Sequence, residues 1–194
     1  MRRLTTFLIV VLSAVFQTTH AGVILDKPVL GGTMIVATDG NVTATYLGSD
    51  AGYINSLFLH APSADAQFLF WKGSPVGPTS TIDLGWFAAG TELTFRLEVW
   101  NTRRQFFTGD GSVNPDGLAH ALAVTVFDAE LRLFVTEVGF EDLFGGGDRD
   151  YNDFMFRLTN VSDPPPAIPE PGTLALLGIG LAGIGVARRK KLAA

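Results

Sequence analysis

Five carboxylates and one amide fall within thirteen residues of this chain: Glu141, Asp142, Asp148, Asp150, Asn152 and Asp153. Anions this close repel one another, so packing them together without a counter-charge is costly. A bound cation removes that cost. Every ligand on offer is a hard oxygen, and the segment holds no His or Cys, which favours calcium over zinc or copper. Gly145, Gly146 and Gly147 let the backbone turn sharply. That turn would bring Glu141 and Asp142 back toward Asp148 and Asp150. Phe140, Phe144, Tyr151, Phe154 and Phe156 flank the segment and would anchor it to a core. Asp148, Asp150 and Asn152 alternate as in the first half of an EF-hand loop. The rest of that motif fails, because Asp153 replaces the turn glycine and Thr159 stands where the bidentate Glu belongs. The alternative is a solvated acidic hairpin loop without a ligand.

A second polar stretch, residues 110–117, precedes an apolar run. It could deliver Asp116 or Asn114 to the same cation. Asp, Asn, Gly and Pro are also the usual turn residues, so ligand and turn stay open for Asp116, and Asn114 reads first as a turn residue. His120 reads as a buried, hydrogen-bonded imidazole that orients a carboxylate of the site.

The elements that would position these groups are strands. In residues 91–100, Leu93, Phe95, Leu97 and Val99 share one face against Thr94, Arg96 and Glu98. Residues 33–38, 42–47, 53–60, 67–71, 120–127, 132–138 and 154–159 read likewise, with Gly, Asp, Asn and Pro between them. No stretch of the body sustains a helical period. The expectation is all-β: a jelly-roll-like β-sandwich of about 8–10 strands. Core packing is the first expectation for Trp71, Trp86 and Trp100, with Trp100 on the polar parity of its strand.

Composition bounds the rest. The 194 residues contain no cysteine. That removes disulfides, thiolate chemistry, Cys-zinc sites and lipoprotein attachment. The net charge is −5, and residues 22–163 hold 8 Lys and Arg against 18 Asp and Glu. An acidic body argues against nucleic acid as a partner.

Both ends read as addresses. Residues 1–21 have the form of a secretory signal: Arg2 and Arg3, a short apolar run, and small residues before Gly22. After the body at 22–163 comes a proline-rich linker at 164–168. Then follow Pro169, Glu170 and Pro171, an apolar stretch at 173–187, and Arg188, Arg189, Lys190 and Lys191. The stretch is expected to form a short transmembrane helix with the cationic residues on the cytoplasmic side.

This C-terminus resembles the PEP-CTERM sorting signal of exported bacterial proteins, carried by Pro169-Glu170-Pro171, the glycine-rich apolar stretch and the basic cluster. The resemblance implies that the chain is a substrate of exosortase in a Gram-negative bacterium that makes extracellular polysaccharide. It implies passage through the periplasm and inner membrane, with transient membrane contact through the C-terminal helix, and then the cell surface or matrix. Residues 80–159 are similar to an exported bacterial domain family of unknown function. Its marks are Phe140 to Leu143, a glycine-rich turn, and Asp148-Arg149-Asp150-Tyr151-Asn152-Asp153, with supporting pieces at 89–93 and 114–121. That resemblance implies a β-sandwich with calcium ligands and no known activity.

Three functions follow as expectations. The first is an exported, calcium-stabilised surface or biofilm-matrix protein, structural or adhesive and not an enzyme. The alternative is a carbohydrate-binding module using its Trp residues. A glycoside hydrolase ranks last. The body has only His60 and His120, no Gly-x-Ser-x-Gly and no His-Glu-x-x-His, and its crowded carboxylates do not look like a separated acid/base pair.

Overall fold

The computed structural model describes residues 23–24 and 28–162. The chain divides into two units, residues 1–164 and 165–194, and all described residues belong to the first.

Thirteen strands form among the described residues, all paired antiparallel. One sheet contains β1 (Val23–Ile24), β2 (Val29–Leu30), β4 (Gly40–Gly48), β7 (Thr81–Phe87), β10 (Ala121–Asp128), β11 (Leu133–Phe140) and β12 (Phe154–Thr159), in the order β1-β10-β11-β12-β4-β7 with β2 also on β10. The other contains β3 (Met34–Val36), β5 (Asn55–Ala61), β6 (Gln67–Trp71), β8 (Glu92–Val99), β9 (Arg104–Phe107) and β13 (Val161–Ser162), in the order β13-β3-β8-β5-β6 with β9 on β8. The result is a sandwich of two sheets.

Alternation explains the packing. Along β8, Leu93, Phe95, Leu97 and Val99 are all buried while Thr94, Arg96 and Glu98 face outward. Val42, Ala44 and Tyr46 of β4 and Phe154, Phe156 and Leu158 of β12 supply the opposing face. Large rings fill the space between, with Phe95–Phe156 and Tyr46–Phe154 centroids each 5.0 Å apart. Tyr46 keeps its hydroxyl satisfied by donating to the Lys72 carbonyl at 2.9 Å.

One expectation is corrected. No helix among the described residues is long and apolar enough to cross a membrane. The described fold is therefore two β-sheets with no transmembrane helix among its residues, and nothing in it supports the inner-membrane contact and membrane-held precursor that rested on the expected C-terminal helix. Length also argues against that helix. The apolar stretch at 173–187, which lies outside the described residues, would give about 22 Å of helix against a hydrocarbon core of about 30 Å. The signal at 1–21 and the sorting residues Pro169 to Lys191 also lie outside the described residues.

The tryptophans are the second correction. Trp71, Trp86 and Trp100 are not core residues: each is more than half exposed. All three sit at outward-facing or strand-end positions, where the pleat directs the side chain away from the opposing sheet.

Candidate metal centre

Residues 141–153 connect β11 to β12. The strands are zipped up to the pair Phe140 and Phe154, both fully buried, so the loop leaves a rigid base. Leu143 accepts from the Gly146 amide at 3.0 Å, which closes a tight turn. Gly145, Gly146 and Gly147 all have positive φ, and Arg149 and Tyr151 adopt it as well, at 63° and 55°. Non-glycine residues there cost about 1–2 kcal/mol each, so the surrounding contacts must hold them. Tyr151 is buried, and its amide donates to Glu141 Oε1 at 2.8 Å.

This folding-back brings Glu141, Asp148 and Asp150 together. One carboxylate oxygen from each lies within 4.8 Å of the others. Glu141 is 1% exposed, and its second oxygen, Oε2, is buried and accepts no hydrogen bond among the described residues. An unpartnered buried carboxylate oxygen is expensive. Burial first, and then the nearby charges of Asp153, Asp148 and Asp150, push the Glu141 carboxyl up to about 7 despite the bond from Tyr151. Asp150 is likewise raised, by desolvation and by Asp148.

The other expected ligands take different places. Asp142 turns away from the cluster. Its Oδ2 accepts from the fully buried Asn55 amide at 2.7 Å, which ties the loop to β5 of the other sheet. Its own N–H donates to Asp153 Oδ2 at 2.9 Å. Burial, with Asp142 and Asp150 close by, raises Asp153 to about 6. Asn152 donates its side-chain amide to Asp150 Oδ2, and its carbonyl accepts from the Asp50 N–H at 3.0 Å.

Asp116 reaches the loop from the β9–β10 connection. Its Oδ2 accepts from the Gly145 N–H at 2.8 Å and from His120 Nε2 at 2.9 Å, and its Oδ1 accepts from the Leu118 N–H. Burial alone would raise its carboxyl, but these three donors hold it near 2. His120 is fully buried, stacks on Phe106 at 3.7 Å, and places Nδ1 2.9 Å from the Glu141 carbonyl. The imidazole thus pins both the turn residue Asp116 and the backbone from which Glu141 projects. Asn114 is an internal brace, accepting from Phe107 N and donating to Leu118 O.

Two contributors were not expected. Asn55 shares strand parity with Leu57 and Leu59, and an amide on a core face needs a buried partner; that parity is the signal that points to it. Asp50, in the β4–β5 turn, adds a further negative charge beside Asp150. Phe144, expected to anchor the loop, is half exposed and lies under the Arg104 guanidinium at 4.0 Å.

Gly147 has a specific role. A Cβ on it would stand 2.3 Å from Glu141 Oε2, and its φ is +44°. Gly147→Ala should therefore displace the Glu141 carboxylate, lower stability by about 2 kcal/mol or more, and weaken cation binding. Thermal melts and a cation titration of the variant check both effects. A wild-type affinity in the variant would show that Glu141 does not hold the ion.

Residues 87–160 match the family described as Domain of unknown function (DUF4114), and residues 167–191 match the PEP-CTERM protein-sorting motif. A PEP-CTERM motif and an adjoining DUF4114-like domain are thus both present in the chain. The motif supports interaction with exosortase and export by that route to the cell surface. The whole acidic loop falls inside the first match. Comparison with curated proteins and with solved structures returns no match.

Proposed function

We propose that this is an exosortase-sorted surface protein whose β-sandwich is stabilised by calcium at the β11–β12 loop, with a structural or adhesive role in extracellular polysaccharide and no catalytic activity. The observation that carries this reading is the buried, unpartnered Glu141 Oε2, on a carboxylate that converges with those of Asp148 and Asp150. Oxygens bound to one calcium at about 2.3–2.6 Å lie within about 5 Å of each other, and these three carboxylates already satisfy that limit. Only oxygen donors meet there, which supports calcium over softer-ligand metals. A glycosidase pair would stand at about 5–9.5 Å with room for a sugar, whereas this cluster is crowded.

A melt of the full chain in calcium, in magnesium and in chelator tests the proposal. Saturating calcium is expected to raise the midpoint by roughly 5–10 °C over chelator, with a smaller rise in magnesium, which demands stricter octahedral geometry. No calcium effect, or an equal effect of both ions, would contradict the calcium assignment.

A second reading, glycan binding, is favoured by the exposure of Trp71, Trp86 and Trp100.

A further inference from the structure

The outer face of the second sheet carries an aromatic platform with a cationic rim. Ser56 sits opposite Trp71 on β6 and opposite Glu98 on β8. Trp71 thus lies directly across the ladder from Ser56, and Trp100, two residues beyond Glu98, reaches Ser56 from the other side through its indole N–H. Both rings are fixed in place. Trp100 donates its indole N–H to Ser56 Oγ at 2.9 Å, yet remains 60% exposed. Trp71 folds over its own turn, so close to Gly73 that any Cβ there would meet the ring at 2.3 Å. Its outer side stays open, at 52% exposure. Fixed, half-exposed indoles present flat apolar faces at little entropic cost.

Beside Trp100, a groove of about 200 Å³ runs between Glu98, Arg103, Arg104 and Gln105. A second hollow continues it past Arg103 and Arg104 toward Val113 and Pro115. The polar side chains are ordered: Arg96 pairs with Glu98 at 2.8 Å, and Gln105 donates to the same Glu98 oxygen. That leaves Arg103 and Arg104, neither of which has an ion pair among the described residues. In a body with 18 acidic against 8 basic residues, two adjacent guanidinium groups without an ion pair, that of Arg104 lying over the Phe144 ring, stand beside an exposed indole and mark a local site for an anion. Guanidinium forks match carboxylates geometrically.

We infer that this groove binds an acidic polysaccharide, with sugar rings stacked on Trp100 and Trp71 and uronate carboxylates held by Arg103 and Arg104. The inference deepens the surface role proposed above by naming a partner class, but it does not require the cation site.

The test is binding of the full chain to polygalacturonate and to neutral dextran of similar length, in chelator so that calcium cannot bridge protein and polymer. Wild type should bind polygalacturonate, with affinity falling as salt rises, and should not retain dextran. Trp100→Ala and Arg103→Asn should each weaken binding about tenfold without lowering the melting midpoint. Asn suits the left-handed backbone of Arg103, whose φ is 57°. Asp148→Ala should bind polygalacturonate normally, which separates this site from the cation site. No binding, equal binding of both polymers, or binding unaffected by both groove variants would overturn the inference.

Discussion

Glu141→Gln should abolish cation binding and, at neutral pH, make the cation-free protein more stable than wild type. The two effects have one origin. Glutamine is nearly the same shape and keeps an oxygen for the Tyr151 N–H, which Glu141 Oε1 now accepts at 2.8 Å. It removes the buried negative charge that Asp153, Asp148 and Asp150 oppose. Its new amide also brings a donor toward the Asp148 and Asp150 carboxylates, which are acceptors. Raising a carboxyl from 4.5 to about 7 corresponds to a penalty on the order of 3 kcal/mol once ionised. That is the expected gain in chelator, read from denaturant unfolding. In calcium the order should reverse, because only wild type can bind, and affinity should drop at least about a hundredfold in the variant. A variant less stable than wild type in chelator would mean that Glu141 is a satisfied structural carboxylate.

The cation-free protein should also lose stability as pH rises from about 5 to 7.5, unlike most proteins held together by ionised carboxylates. Glu141 and Asp153 have folded-state values near 7 and 6, above their ordinary 4.5 and 3.8. Below the ordinary values both states hold these protons and no penalty exists. Between the ordinary and raised values the folded state binds more protons than the unfolded one, so unfolding becomes easier with each step up in pH. Above about 7 the penalty is complete. Asp116 works in the opposite sense, since its value is lowered to about 2. Its contribution is lost only on acidifying from about 4 toward 2, outside this window. Calcium must compete with those same protons, so the stabilisation it adds should grow from pH 5 to 7.5. Melts across pH with and without chelator check both slopes. A chelated protein whose midpoint is flat or climbs over that range would contradict the electrostatic account of the loop.

Much of the scaffold was legible because half-buried strands write their two faces into alternate residues. The eight strands expected from alternation correspond to β3, β4, β5, β6, β8, β10, β11 and β12. β7 was not legible. It is an edge strand with only Leu84 buried, and a bulge opposite Val42 and Thr43 breaks its register. β9 is four residues long and needs β8 to define it. On β10, Ala121 and Ala123 face the main core, while the larger Leu122 and Val124 take the other side, so size alone misleads about direction. In the site, composition marked the loop, and the glycine run marked its turn. What composition could not assign was which carboxylates converge. Glu141 and Asp142 are neighbours in sequence, but the first points to Asp148 and Asp150, and the second pairs with Asn55 across the sandwich. That division depends on a contact 87 residues away. The tryptophans misled for a related reason: their bulk argues for burial, whereas Trp100 is held at the surface by a hydrogen bond to another strand.

The most direct test of the central claim is a calorimetric calcium titration of the full chain beside an Asp148→Ala/Asp150→Ala double variant. Both side chains are exposed, so their removal should leave the fold intact. Saturable binding by wild type, absent from the double variant at an unchanged fold, is the predicted result. No heat of binding in wild type, or equal binding in the double variant, would contradict it.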